Sequence, residues 1–140
     1  MGKLILITYP GRLGRENFFL ALCYNGTMKL VDKKITLSEL KKMSSRMFGG
    51  LVKAVIDVKK EIMVVDEAMH ADEEKYLLDM GSSQDDLWGI DLYPELQKEN
   101  FIEFDSIINI RPRLNNFSRG IEDKHIREKI TQIISRLVET

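Results

Sequence analysis

From Val52 the apolar side chains recur at every second position: Val52, Ala54, Ile56 and Val58 fall on one side, Lys53, Val55 and Asp57 on the other. A period of two suits an extended strand and cannot lie on one face of a 3.6-residue helix. On either side of this strand the period changes. Thr36-x-x-Glu39 is a capping box, in which a hydroxyl and a carboxylate each satisfy a backbone donor that the first helical turn leaves free. It opens a helix over about 36–48, with Leu37, Leu40, Met43, Met47 and Phe48 inward. Asp123 caps a second helix over 124–138, with Ile126, Ile130, Ile133, Ile134 and Leu137 as its apolar stripe.

Between the helices the spacing predicts further strands at 62–65, 74–80, 86–93 and 101–111. Lys59-Lys60 joins the first two without the Gly or Asn that a tight hairpin favours. The last strand places Ile102, Phe104, Ser106, Ile108 and Ile110 on a core face, with Glu103, Asp105, Ile107, Asn109 and Arg111 opposite; Pro112 ends it. The expected fold is α+β in the order α-β-β-β-β-β-α: an antiparallel, meander-like sheet of about five strands, both helices on one face and the other face mostly polar. Residues 28–140 form the single domain, preceded by a short N-terminal extension over 1–27 with a strand at 4–8 and a turn at Gly11-Arg12-Leu13-Gly14-Arg15.

With 140 residues, 44% of them apolar, the chain can bury one core, and no run approaches the ~18 apolar residues of a membrane span. Cys23 is the only cysteine, so neither an intrachain disulfide nor a thiolate cluster can form, and a cytoplasmic location is expected. No export or lipidation signal is read at the N-terminus, where Pro10, Gly11, Arg12 and Glu16 interrupt the apolar runs.

A net charge of −1 conceals a strong segregation. Residues 1–56 carry +7, residues 57–105 carry −11 and residues 106–140 carry +3. Three constellations follow. In the acidic middle, His70 and Asp72 share one side of an extended segment and could hold a divalent metal. Asp86 and Trp88 suggest a carboxylate beside an aromatic pocket wall, with Gly89 allowing close approach. The stretch 106–121 has no acidic residue but contains Asn109, Arg111, Arg113 and Arg119, which suits phosphate or RNA. The bland alternative is that these arginines pair with the acidic strands.

Met69-His70-Ala71-Asp72, Asp86-Leu87-Trp88-Gly89 and Ile108-Asn109-Ile110-Arg111-Pro112, with the capped helix after Lys34-Ile35, carry a resemblance over residues 28–138. The chain resembles a family of small bacterial and archaeal proteins classed as a domain of unknown function. That family pattern has an Arg where Ser83 stands here, and it implies no activity, substrate or cofactor. Because the likeness begins at a methionine, Met28 is the expected native start.

The leading expectation is a small binding or regulatory module for an anionic ligand, RNA or a protein partner, using Asp86, Trp88, Asn109, Arg111, Arg113 and Arg119. One alternative is a homodimeric interaction protein without a ligand site. The other is a hydrolase of phosphate-containing substrates, with a divalent metal on His70, Asp72 and Asp86 or Asp105, and Arg111 on the phosphoryl oxygen.

Overall fold

A computed structural model describes residues 28–140 in full and residues 3–9 and 17–23 as backbone. The turn expected at 11–15 lies outside the described residues. β1 (Lys3–Tyr9) and β2 (Asn17–Cys23) pair antiparallel, with Lys3 opposite Cys23. The remaining elements are β3 (Lys29–Val31), β4 (Ile35–Thr36), α1 (Leu37–Ser45), β5 (Val52–Asp57), β6 (Ile62–Val65), α2 (His70–Asp79), β7 (Leu87–Leu92), β8 (Ile102–Glu103), α3 (Lys124–Leu137) and β9 (Val138–Glu139). Five of the strands form an antiparallel sheet in the order β3-β6-β5-β7-β8, while β4 pairs with β9 in parallel.

The two expected helices start where their caps are. Thr36 Oγ1 accepts the Glu39 N–H at 3.1 Å, and Asp123 Oδ1 accepts the His125 N–H at 2.8 Å. Both helices lie on one face of the sheet. Leu40, Met43, Ile130, Ile133, Ile134 and Leu137 pack against Val52, Ala54, Ile56, Trp88, Ile90 and Leu92. α1 is shorter than expected, because Gly49 and Gly50 turn the chain with positive φ, and Phe48 is fully exposed instead of inward. The Lys59-Lys60 hairpin closes without Gly. Asp57 Oδ1 accepts the N–H groups of Lys59 and Lys60, both at 2.9 Å, and Glu61 supplies the left-handed residue at φ 57°.

One expected strand is replaced by a helix and another is cut short. Residues 74–79 belong to α2, a third helix, which covers the face of the sheet expected to be polar: Leu77 packs on Val55, Val64 and Leu87. The residues that α2 buries are His70, Glu73 and Leu77, spaced i, i+3, i+7. Two of the three are polar, and that hid the helical period. Only Ile102 and Glu103 of the strand expected at 101–111 pair with β7; the chain then forms 3-10 turns at Ile107–Asn109 and Pro112–Leu114, leaving Ile107 and Ile110 exposed. The cause is a crossing closer than a strand spacing allows: a Cβ on Gly89 would stand 2.6 Å from Ser106 Cβ. No described helix is long and apolar enough to cross a membrane.

Candidate functional site

Because β8 pairs only with Asp91 and Leu92, the outer edge of β7 at Gly89 has no neighbouring strand. The Asn109 side chain takes its place. Its Oδ1 accepts the Gly89 N–H at 2.8 Å, and its Nδ2 donates to Gly89 O and to Arg119 O, both at 2.9 Å. Asn116 organises the same loop: its Nδ2 donates to Asn109 O (2.7 Å), Gly120 O (2.8 Å) and Ser118 O (3.1 Å), and its Oδ1 accepts the Glu122 N–H (2.8 Å). With Asn115 in the left-handed region at φ 59°, the backbones of Arg111 and Asn116 bond each other in both directions, at 2.7 and 3.1 Å. Arg111 is thereby clamped to the sheet edge.

Its side chain reaches across that edge. The guanidinium carbon lies 5.0 Å from the centroid of the Trp88 ring, a cation–π distance, and Nη2 lies 3.3 Å from Glu74 Oε2 on α2. Arg111 is 6% exposed and Trp88 2%. Burial lowers the affinity of Arg111 for its proton, while the charges of Glu74 and Asp85 work the other way. Arg111 Nε, Arg111 Nη1 and Trp88 Nε1 have no hydrogen-bond partner. Trp88 also walls a cavity of about 440 Å³, together with Leu114, Ile126, Asp85, Glu122 and Asp123, while Arg111 lies over the Trp88 ring and does not itself line the cavity. Each of these carboxylates already has a partner. Asp85 pairs with Arg113, Glu122 Oε2 accepts the N–H groups of Phe117 and Ser118, and Asp123 caps α3.

The remaining expected site residues do not converge on this cavity as free groups. Arg113 is exposed and held by Asp85 and by Gln84 Oε1 (3.4 Å). Arg119 is exposed and makes a two-pronged contact with Asp105, at 2.6 and 3.2 Å. Asp86 is half-buried in the 3-10 turn Gln84–Asp86, and its carbonyl accepts the Val58 N–H at 2.9 Å. The expected juxtaposition of His70 and Asp72 is not found. Both lie in the first turn of α2, where a two-residue step turns side chains about 200° apart. His70 is buried with Nε2 2.7 Å from Ile90 O and 3.3 Å from Asp91 Oδ1, whereas Asp72 is exposed. A carbonyl can only accept, so Nε2 keeps its proton and is closed to a metal. Asp91, Glu103 and Asp105 do bring three carboxylate oxygens within 4.8 Å of one another. Lys53 (3.8 Å from Asp91) and Arg119 (2.6 Å from Asp105) already supply two cations to that group, and His70 Nε2 lies 3.3 Å from Asp91 Oδ1.

A second polar centre, under the N-terminal turn of α2, was not expected. Glu73 is fully buried; its Oε2 accepts the Glu67 N–H at 3.2 Å, and its Oε1 has no partner. Burial, reinforced by the charges of Glu67 and Asp66, pushes its carboxyl well above the usual range, against the opposing pull of the Glu67 N–H and Lys53. Asp66 stands beside it in the left-handed region at φ 72°, bonded to Arg46 at 2.5 Å, and burial raises its carboxyl too. The signal for this centre was the i, i+3 pair His70 and Glu73, legible only once the segment is known to be helical.

Residues 29–137 match the family model described as Protein of unknown function (DUF5674). The chain belongs to the DUF5674 family. The matched span takes in the whole five-stranded sheet, all three helices, the Arg111–Trp88 pair and the cavity beside it. No match is found among curated proteins or among solved structures.

Proposed function

We propose that this DUF5674 chain is a cytoplasmic binding module for a small anionic ligand, anchored by Arg111 beside Trp88. One observation carries the reading. Each carboxylate that lines the Trp88 cavity has an internal partner on one of its oxygens, while three buried donors, Trp88 Nε1 and the Nε and Nη1 of Arg111 over the Trp88 ring, have none. Buried polar groups are nearly always paired, and a ligand bearing carboxylate or phosphate oxygens supplies the missing acceptors. Leu114 and Ile126 offer its carbon skeleton an apolar wall. A cavity of about 440 Å³ is within the usual range for small-molecule sites.

The same geometry favours a small anion over RNA. A nucleic-acid backbone needs accessible cations; Arg113 and Arg119 are tied to carboxylates and Arg111 is buried. The test is calorimetric titration of the full chain with inorganic phosphate, citrate, nucleoside monophosphates and a short RNA. A small anion is expected to bind, and Arg111→Ala to weaken it about 10- to 100-fold, the worth of charge-assisted hydrogen bonds. Anion binding that Arg111→Ala leaves unchanged would overturn the proposal, as would binding of RNA alone.

A further inference from the structure

We infer that the Glu74 carboxylate is an internal occupant of the anion site, displaced from Arg111 when ligand binds, so that occupancy of the site is communicated to α2. This rests on the anion-binding reading above and adds its regulation.

Glu74 and Arg111 are 37 residues apart and join the helix over one face of the sheet to the loop along its edge, which also meet where Ile108 packs in the Leu77 cluster. Their contact is a single one, Nη2 to Oε2 at 3.3 Å, while Arg119 holds Asp105 through two nitrogens, the nearer at 2.6 Å. A guanidinium that offers five N–H donors and uses one nitrogen, on a long contact, is weakly engaged. The pair is nevertheless largely removed from water, with the Glu74 side chain 14% exposed and that of Arg111 6%. In such surroundings a second anion brought onto the Arg111 guanidinium repels Glu74 strongly, because screening is weak. An incoming carboxylate or phosphate therefore competes with Glu74.

α2 is placed to respond. Leu77 is its only fully buried apolar side chain, with Tyr76 and Leu78 partly buried, and polar contacts add to its attachment, among them His70 to Ile90 O and Asp91, Glu73 to the Glu67 N–H, and Glu74 to Arg111. Releasing Glu74 removes one of the polar ties of a ten-residue helix, and segments with few apolar contacts open first.

The experiment compares wild type and Glu74→Gln, full chain, titrated calorimetrically with inorganic phosphate and with citrate, and follows hydrogen exchange of the α2 amides with and without the anion. Glu74→Gln keeps the shape of the side chain and removes the competing charge. It should bind the anion about tenfold more tightly. In wild type the anion should speed exchange in α2, and in Glu74→Gln that acceleration should disappear. Glu74→Ala, checked for folding by circular dichroism, should likewise bind more tightly. Wild-type binding with unchanged or weaker affinity in both variants overturns the displacement and leaves the anion site standing. Absence of binding by all three proteins overturns both.

Discussion

Asn109→Ala is the sharpest test of how the sheet edge is built. The truncation removes three hydrogen bonds, two to Gly89 and one to Arg119 O. The last is the least costly, because Arg119 O keeps the Ser106 N–H at 3.0 Å. Gly89 has no such substitute: it is buried, its β5 neighbour Val55 lies on its other side, and its N–H and C=O are both orphaned. Each orphaned buried group costs about 1–3 kcal/mol, so the loss should be about 3–4 kcal/mol. For a chain of this length that corresponds to a fall in Tm of roughly 10–15 °C. Asn109→Asp refines the reasoning. It keeps an acceptor for the Gly89 N–H but turns a carboxylate oxygen toward two carbonyl oxygens, so at neutral pH it should be at least as destabilising as Ala, and should recover as the pH falls and the carboxyl protonates. Trp88 is the only tryptophan and is buried beside Gly89, so urea unfolding followed by its fluorescence reports directly. A loss below about 1 kcal/mol for Ala, or an Asp variant as stable as wild type, would refute the strand-substitute role.

Three further outcomes follow from the packing. Glu73 has its proton affinity raised by burial, so the folded state binds that proton more tightly than the unfolded one; its contribution is complete below the ordinary glutamate range and is lost as pH rises through the raised folded value. Glu73→Gln should therefore gain stability relative to wild type as pH is increased from 4 to 8, and parallel urea midpoints across that range would contradict the account. Gly89→Ala forces a Cβ to 2.6 Å from Ser106 Cβ and 3.1 Å from Ile108 Cγ1, and should cost about 1–3 kcal/mol, partly restored by Ser106→Gly in a double-mutant cycle. Phe48→Ser should change stability by less than about 0.5 kcal/mol, since the ring is fully exposed; a larger loss in thermal unfolding would place Phe48 in a packed contact.

Local signals sufficed wherever a side chain and its partner are near in sequence. Thr36 and Asp123 set the starts of α1 and α3, and alternation alone located β5 and β7, because caps and pleats act over a few residues. The charge segregation likewise anticipated that arginines of the 106–121 stretch meet the acidic middle, as Arg111–Glu74, Arg113–Asp85 and Arg119–Asp105 do. What no local pattern could carry is which of those pairs leaves donors unspent. Arg113 and Arg119 look like Arg111 in the sequence, and only the tertiary arrangement buries Arg111 against Trp88 with two nitrogens unpaired. The helix α2 was concealed for the same reason. Its inward positions hold His70 and Glu73, whose burial is tolerated only because Ile90 O and the Glu67 N–H, twenty and six residues away, stand ready to receive them. Hydropathy records what a residue prefers by itself, and here partners brought together by folding decide which polar groups are buried and which of them are left unpaired.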